Sequence, residues 1–156
     1  MLTNTLLFLA ALAGMEIVAN LTHRYVMHGW LWSLHASHHR PREGMFEKND
    51  LFAVFFSVPS ILLIYLGVNV YPPLLWIGLG MTAYGLVYFV FHDVIVHRRI
   101  RLPYRARSRY LKRIIQAHWI HHATREREGA VSFGFLYAPP IEDLKRARTR
   151  AEMRRA

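Results

Sequence analysis

From Leu51 to Phe91 the chain runs for forty-one residues without a charged side chain, and its clearest break is at Asn69, Pro72 and Pro73. A helix needs about 20 apolar residues to cross about 30 Å of hydrocarbon, so this run has the length of two spans. Proline in a helix interior costs backbone hydrogen bonds, and Pro72-Pro73 therefore supplies the turn between them. We place the spans near residues 51–70 and 74–91. Residues 2–22 carry one acid, Glu16, and read as a further span. The expectation is an all-α integral membrane protein with about three transmembrane helices, forming a single domain over residues 1–156.

All twenty Lys and Arg residues lie outside these runs, four between Arg24 and Lys48 and sixteen between Arg98 and Arg155. The positive-inside bias then puts the 23–50 loop and everything after residue 97 on the cytoplasmic side, with the Pro72 turn and the N-terminus opposite. A cleaved signal peptide fits residues 2–22 less well, because no basic segment precedes them and the apolar run leads straight into histidines. The net charge of +10 needs no nucleic acid: no aromatic-interleaved RNA motif or helix-turn-helix pattern accompanies it, and topology with anionic headgroups of the lipid bilayer explains it. Leu102 to Ile115 mixes basic and apolar residues at roughly helical spacing and should lie along the interface. The basic tail, 142–156, reads as a solvated helix.

All ten histidines fall in four short clusters. His23 and His28 are followed by His35, His38 and His39; later His92 and His97 are followed by His118, His121 and His122. Each half thus repeats a span ending in a pair five apart, then a triplet spaced by three and four. On an α-helix a triplet of that spacing shares one face, so each should project three imidazoles into one volume, giving two similar half-sites. Residues five apart stand about 140° apart on a straight helix with roughly 100° per residue, which suits ligands flanking a site.

Neutral imidazoles crowded at a membrane face would leave donors and acceptors unpartnered unless a cation organised them. Structural zinc takes four ligands and would leave the duplication unexplained. A zinc protease motif would need Glu after His35 or His118, where Ala36 and Trp119 stand. The absence of cysteine removes thiolate sites and iron-sulfur clusters. Two non-haem iron ions can accept eight to ten imidazoles and leave room for oxygen. A membrane metal-binding or transport protein is the alternative, but a transporter should carry ionisable groups through its spans, and only Glu16 does so.

The segments HRYVMHGWLWSLHASHHRPREGMFEKNDLFAV, FHDVIVHRR and AHWIHHATREREGAVSFGFLYAPP closely resemble the bacterial β-carotene 3-hydroxylases of the membrane fatty-acid hydroxylase superfamily, from about His23 to Pro140. The resemblance implies that all ten histidines are metal ligands, with no other catalytic residue, for two iron ions and O2 as co-substrate. It implies hydroxylation of the β-ionone rings of β-carotene and related carotenoids, giving cryptoxanthin and then zeaxanthin, in the bacterial inner (cytoplasmic) membrane. A fatty acyl or sterol substrate is the nearer alternative. Two electrons are needed per hydroxylation, and the chain has no nucleotide-binding glycine fingerprint, so ferredoxin and ferredoxin reductase are the expected donors. Superfamily members are often described with four membrane helices, against three strong spans here.

Glu16 and Asn20 precede His23 by seven and three residues and are expected near its helix face, as hydrogen-bonding support for a ligand; Asp93, beside His92, is expected in a similar role. Trp30, Trp32, Phe46, Phe52, Tyr88, Phe89, Phe133 and Phe135 are candidates to line the access for a rigid polyene, or to act as interfacial anchors.

Overall fold

The leucine- and alanine-rich N-terminus forms helix α1, Leu2–Leu21, with no proline or β-branched run to interrupt it. In the computed structural model, which describes residues 1–41 and 44–154, α1 does not stop at the first histidine. It continues as a π-helical segment, Thr22–Trp30, so that the first long apolar helix covers Leu2–Trp30. That is eight residues beyond the expected end. The segment breaks at Gly29, whose φ of −111° and ψ of −122° are not helical. The chain then turns into the short helix α2, Trp32–His35, and a 3₁₀ turn over Ala36–His39.

Helix α3, Leu51–Asn69, is entered through a 3₁₀ turn whose capping box pairs Glu47 with Asp50. Helix α4, Pro73–Tyr88, begins with Pro73 at its first turn, where a missing N–H costs nothing. It too runs into a π-helical segment, Phe89–Val96. The three helices long and apolar enough to cross a membrane are therefore Leu2–Trp30, Lys48–Asn69 and Pro73–Val96, and no strand occurs among the described residues.

Helix α4 packs against both α1 and α3. Two glycines allow the approach: a Cβ on Gly80 would fall 2.5 Å from the Phe8 carbonyl oxygen of α1, and one on Gly78 would fall 2.9 Å from the Ser60 carbonyl oxygen of α3. The Ser60 hydroxyl donates to the Gly78 carbonyl at 2.9 Å and lies 2.8 Å from Thr82 Oγ1, so the polar groups of the α3–α4 seam satisfy one another. Leu6, Leu9, Ile17, Val58 and Leu62 are exposed on the outside of the bundle, as a lipid-facing surface requires.

The basic C-terminal third caps one end of the bundle. Residues 101–107 are irregular, a departure from the interfacial helix expected over 102–115; α5, Arg109–His122, starts only at Ser108, whose hydroxyl caps Leu111 N–H. Pro103 and arginine-rich spacing do not decide this; the N-cap serine does. Helix α6, Ile141–Met153, carries the basic tail, and residues 155 and 156 of that tail lie outside the described residues. Ile114 and Ala117 of α5 bury with Ala138 and with Leu144 of α6, which holds α5 against α6, while His121 of α5 meets His28 and His118 meets His97.

Candidate metal centre

The ten imidazoles meet in two groups. His23, His28, His35, His39 and His121 each offer one ring nitrogen, as do His38, His92, His97, His118 and His122, and within each group these atoms lie within 4.8 Å of one another. We refer to them as site 1 and site 2. The division corrects the expectation of one half-site per sequence half. In each triplet the first and third histidines stay with their own pair, while the middle one, His38 or His121, crosses to the other site. The i, i+4 members share a face; the i+3 member is offset from them by enough to reach a neighbouring volume.

The pairs five apart also differ from the straight-helix expectation. Both occur in π-helical segments, where His97 N–H bonds to the His92 carbonyl at 2.8 Å and Leu31 N–H to the Val26 carbonyl at 2.9 Å. Bonding i to i+5 widens the turn and reduces the rotation per residue, so His23 and His28, or His92 and His97, lie closer to one face than on a straight α-helix, with ring centroids 5.2 and 4.4 Å apart.

Ring orientation is uniform. Across site 1, Nε2 of His35 lies 3.1 Å from that of His23 and 3.2 Å from that of His39, and Nε2 of His28 lies 3.2 Å from that of His121. Across site 2 the distances are 2.9 Å for His38 to His92 and 2.8 Å for His97 to His118. With metal-to-imidazole bonds of about 2.1 Å, adjacent ligands stand about 3.0 Å apart and opposite ones about 4.2 Å, so this spacing suits shared cations. His122 Nε2 is buried without a hydrogen-bond partner among the described residues, as expected of a nitrogen reserved for a metal.

Six of the outward nitrogens have acceptors, while His92 Nδ1 is buried without a hydrogen-bond partner among the described residues. Nδ1 of His23, His28, His39 and His121 lies 3.0, 2.9, 2.7 and 3.0 Å from the carbonyl oxygens of Phe133, Arg127, Thr124 and Val131. His35 Nδ1 is 2.7 Å from Asn49 Oδ1, and His38 Nδ1 is 3.0 Å from Glu47 Oε2. An acceptor at Nδ1 places the proton there and turns the Nε2 lone pair inward, which is the ligand tautomer. Burial lowers the pKa of His39 to about 4 and, reinforced by neighbouring histidines, those of His35 and His122 to about 2; His38, His118 and His121 are likewise held well below the ordinary imidazole value. The imidazoles are thus neutral and able to coordinate.

Glu16 is placed differently from expectation. Its Oε1 accepts from the backbone N–H groups of Phe135, Leu136 and Tyr137 at 2.7, 2.8 and 3.2 Å, and its Oε2 from Tyr84 OH at 2.8 Å. It reaches His23 only through the 133–137 loop, whose Phe133 carbonyl takes the His23 proton. Asn20 packs beside this loop at Gly134. Asp93 Oδ2 stands 3.5 Å from His92 Nδ1, and its Oδ1 pairs with Arg99 Nε at 2.9 Å.

A cavity of about 480 Å³ between α1, α3 and α4 runs from Ser60, Ile61 and Met81 to His23 and His35 of site 1 and His92 and His118 of site 2. Phe52, Tyr88, Phe89, Phe133 and Phe135 line it. Trp32 instead packs at a tilt against His28 and His39, and Trp30 and Phe46, 76% and 83% exposed, lie on the surface. Away from this cavity, a recess of about 300 Å³ between Arg40, Trp119 and Arg125 reaches His38, His39, His97 and His122. Sequence reasoning missed Asn49, Glu47, Tyr84 and the carbonyl acceptors. The polar turn Glu47-Lys48-Asn49-Asp50 at the head of a span was the available signal for the first two; the carbonyls leave none.

The family model for fatty acid hydroxylase matches residues 8–140. A β-carotene hydroxylase of Pantoea ananas is 57% identical over 142 residues, covering 91% of this chain and 81% of its own length. Those of Pseudescherichia vulneris and Paracoccus sp. (strain PC1) are 53% and 46% identical over 93% and 92% of this chain, and 82% and 90% of their own. No solved structure matches. Two clusters of inward-facing histidines, the match to the family model over most of the chain and these identities lead to one conclusion: the chain belongs to the fatty acid hydroxylase family.

Proposed function

We propose that this chain hydroxylates the β-ionone rings of β-carotene at C3, giving cryptoxanthin and then zeaxanthin, with the ten histidines holding two iron ions. The observation that carries the reading is the cavity from the bilayer-facing helices to histidines of both sites, in a chain 57% identical to a β-carotene hydroxylase. Its apolar walls suit a hydrocarbon ring, and its size suits one end of a carotenoid with the remaining polyene outside. Bound iron would supply the reductive activation of O2. The chain's residues hold the ring against the histidine ends, exclude bulk water with Phe133 and Phe135, and fix the ligand tautomer of His23, His28, His35, His38, His39 and His121 through their Nδ1 partners.

One oxygen atom enters the C–H bond and the other leaves as water with two protons and two electrons. The electrons come from a separate carrier, for which ferredoxin with its reductase is the proposed pair. We place the histidine end at the cytoplasmic face of a bacterial inner membrane, where the basic segments would lie.

Membranes containing the protein, given O2, reduced ferredoxin and β-carotene, should form cryptoxanthin and then zeaxanthin, with isotopically labelled O2 marking the new hydroxyl. Label arriving from water, or hydroxylation of a fatty acid or sterol with carotene untouched, would overturn the assignment.

A further inference from the structure

The five Nδ1 partners of site 1 are all uncharged: four backbone carbonyls and the Asn49 side chain. Site 2 is built otherwise. Glu47 Oε2 accepts from His38 Nδ1 at 3.0 Å, whereas Asp93 Oδ2 stands 3.5 Å from His92 Nδ1, close enough to add its charge but without a hydrogen bond. Both carboxylates, with Asp50, gather on Arg99: Nη2 lies 2.6 Å from Asp50 Oδ1 and 3.5 Å from Glu47 Oε1, and Nε lies 2.9 Å from Asp93 Oδ1. Three carboxylates face one guanidinium, so the group remains anionic, and the side chains of Glu47 and Asp93 are only 10% and 12% exposed.

A carboxylate behind a histidine pulls its Nδ1 proton outward and makes Nε2 a stronger donor than a carbonyl does. The negative charge also favours a cation at short range where solvent screens little. Arg99 orients the carboxylates and offsets part of their charge in a poorly solvated place.

We propose that the two metal sites are unequal, with Glu47 and Asp93, positioned by Arg99, making site 2 the tighter one, so that metal fills site 2 first and leaves site 1 first. The proposal rests on the reading that the histidine groups hold metal. It makes Glu47 and Arg99 positioning residues, and Asn49 the point at which site 1 differs.

The test is metal retention by the full-length protein in detergent, loaded with Fe(II) without O2, or with Zn(II) as a redox-silent probe, then challenged with a graded chelator. The expected result is two-step loss, one ion leaving at a chelator strength about 10 to 100 times below the other. Glu47→Gln, which keeps a hydrogen-bond acceptor but removes the charge, should weaken the second step by about the same factor and leave the first in place. Asn49→Asp, nearly the same in shape, should strengthen the first step and bring the two together. That gain is one a merely structural role would not produce. Single-step loss of two ions from the unsubstituted protein would overturn the inequality alone, as would equal weakening of both steps by Glu47→Gln or no change with Asn49→Asp. Failure to take up any metal would overturn the metal reading itself and the inequality with it.

Discussion

His38 Nε2 lies 2.9 Å from His92 Nε2, fifty-four residues away, while its near neighbours His35 and His39 belong to the other group. His121 makes the reciprocal crossing, 3.2 Å from His28. Each site therefore takes four ligands from one half of the sequence and one from the other, and neither can assemble before the α2 turn and α5 have docked. His38→Ala should lower metal content from two ions toward one by emptying site 2, and His121→Ala should do the same to site 1. Elemental analysis after loading decides this; loss of both ions in either variant would show that the sites are interdependent, and full retention in both would remove the two-site description.

Glu16 ties the first span to the loop that closes the cavity. Its carboxylate satisfies three backbone donors and Tyr84 OH, and each buried donor left unmatched costs about 1–3 kcal/mol. Glu16→Leu should destabilise the protein by about 3 kcal/mol or more and lower activity, whereas Glu16→Gln, which keeps an acceptor oxygen, should lose less of both. Thermal unfolding in detergent beside a pigment assay would register the difference. Equal stability of the Leu variant and the unsubstituted chain would refute the clamp.

The three long helices, and a histidine-rich centre at one end of them, were legible in the sequence because charge and hydropathy report the bilayer directly. Asn69-Val70-Tyr71-Pro72 marked the hairpin for the same reason. The π-helical segments were not legible, since a five-residue spacing looks awkward only under the assumption of α-helical rotation. The crossing of His38 and His121 was hidden because triplet spacing reports one helix and not its neighbour. Glu16 was legible as a significant residue, a carboxylate in a span, but its partners are backbone groups of residues 135–137, and backbone donors carry no sequence signature. Arg42 and Glu43, within the first of the segments that carried the family resemblance, lie outside the described residues.

Acid should weaken the metal-free protein. His39 titrates at about 4 in the fold against an ordinary value of 6.5, and His35 and His122 at about 2, all chiefly through burial. Below pH 6.5 the unfolded chain takes up protons that the folded one refuses, so stability falls as pH drops toward 4 and continues to fall toward 2. Unfolding temperatures of the metal-free protein at pH 7.5 and pH 5 should differ in that sense. A higher value at pH 5 would contradict neutral, buried imidazoles.

If the electron donor is the ferredoxin proposed above, the recess between Arg40, Trp119 and Arg125 would give it a short path to His38, His39, His97 and His122. Arg40→Glu with Arg125→Glu should raise KM for reduced ferredoxin several-fold, with an effect that shrinks as salt rises, while turnover driven by a small chemical reductant stays near its starting rate. Unaltered KM for ferredoxin would place the carrier elsewhere.

The cavity itself can be tested at Gly85, which lines it on α4 and has open space where a Cβ would be. A Cβ there meets nothing within 4 Å, so the helix should tolerate a side chain, and a phenylalanine ring would occupy volume needed by the substrate. Gly85→Phe should therefore leave metal content unchanged but reduce hydroxylation of β-carotene by about 10-fold or more, a loss of about 1.4 kcal/mol in transition-state stabilisation. Gly85→Ala, adding one methyl, should have a much smaller effect. If both variants hydroxylate carotene at the original rate while holding their metal, the ring does not reach the histidines through this cavity, and the route from the bilayer must lie elsewhere.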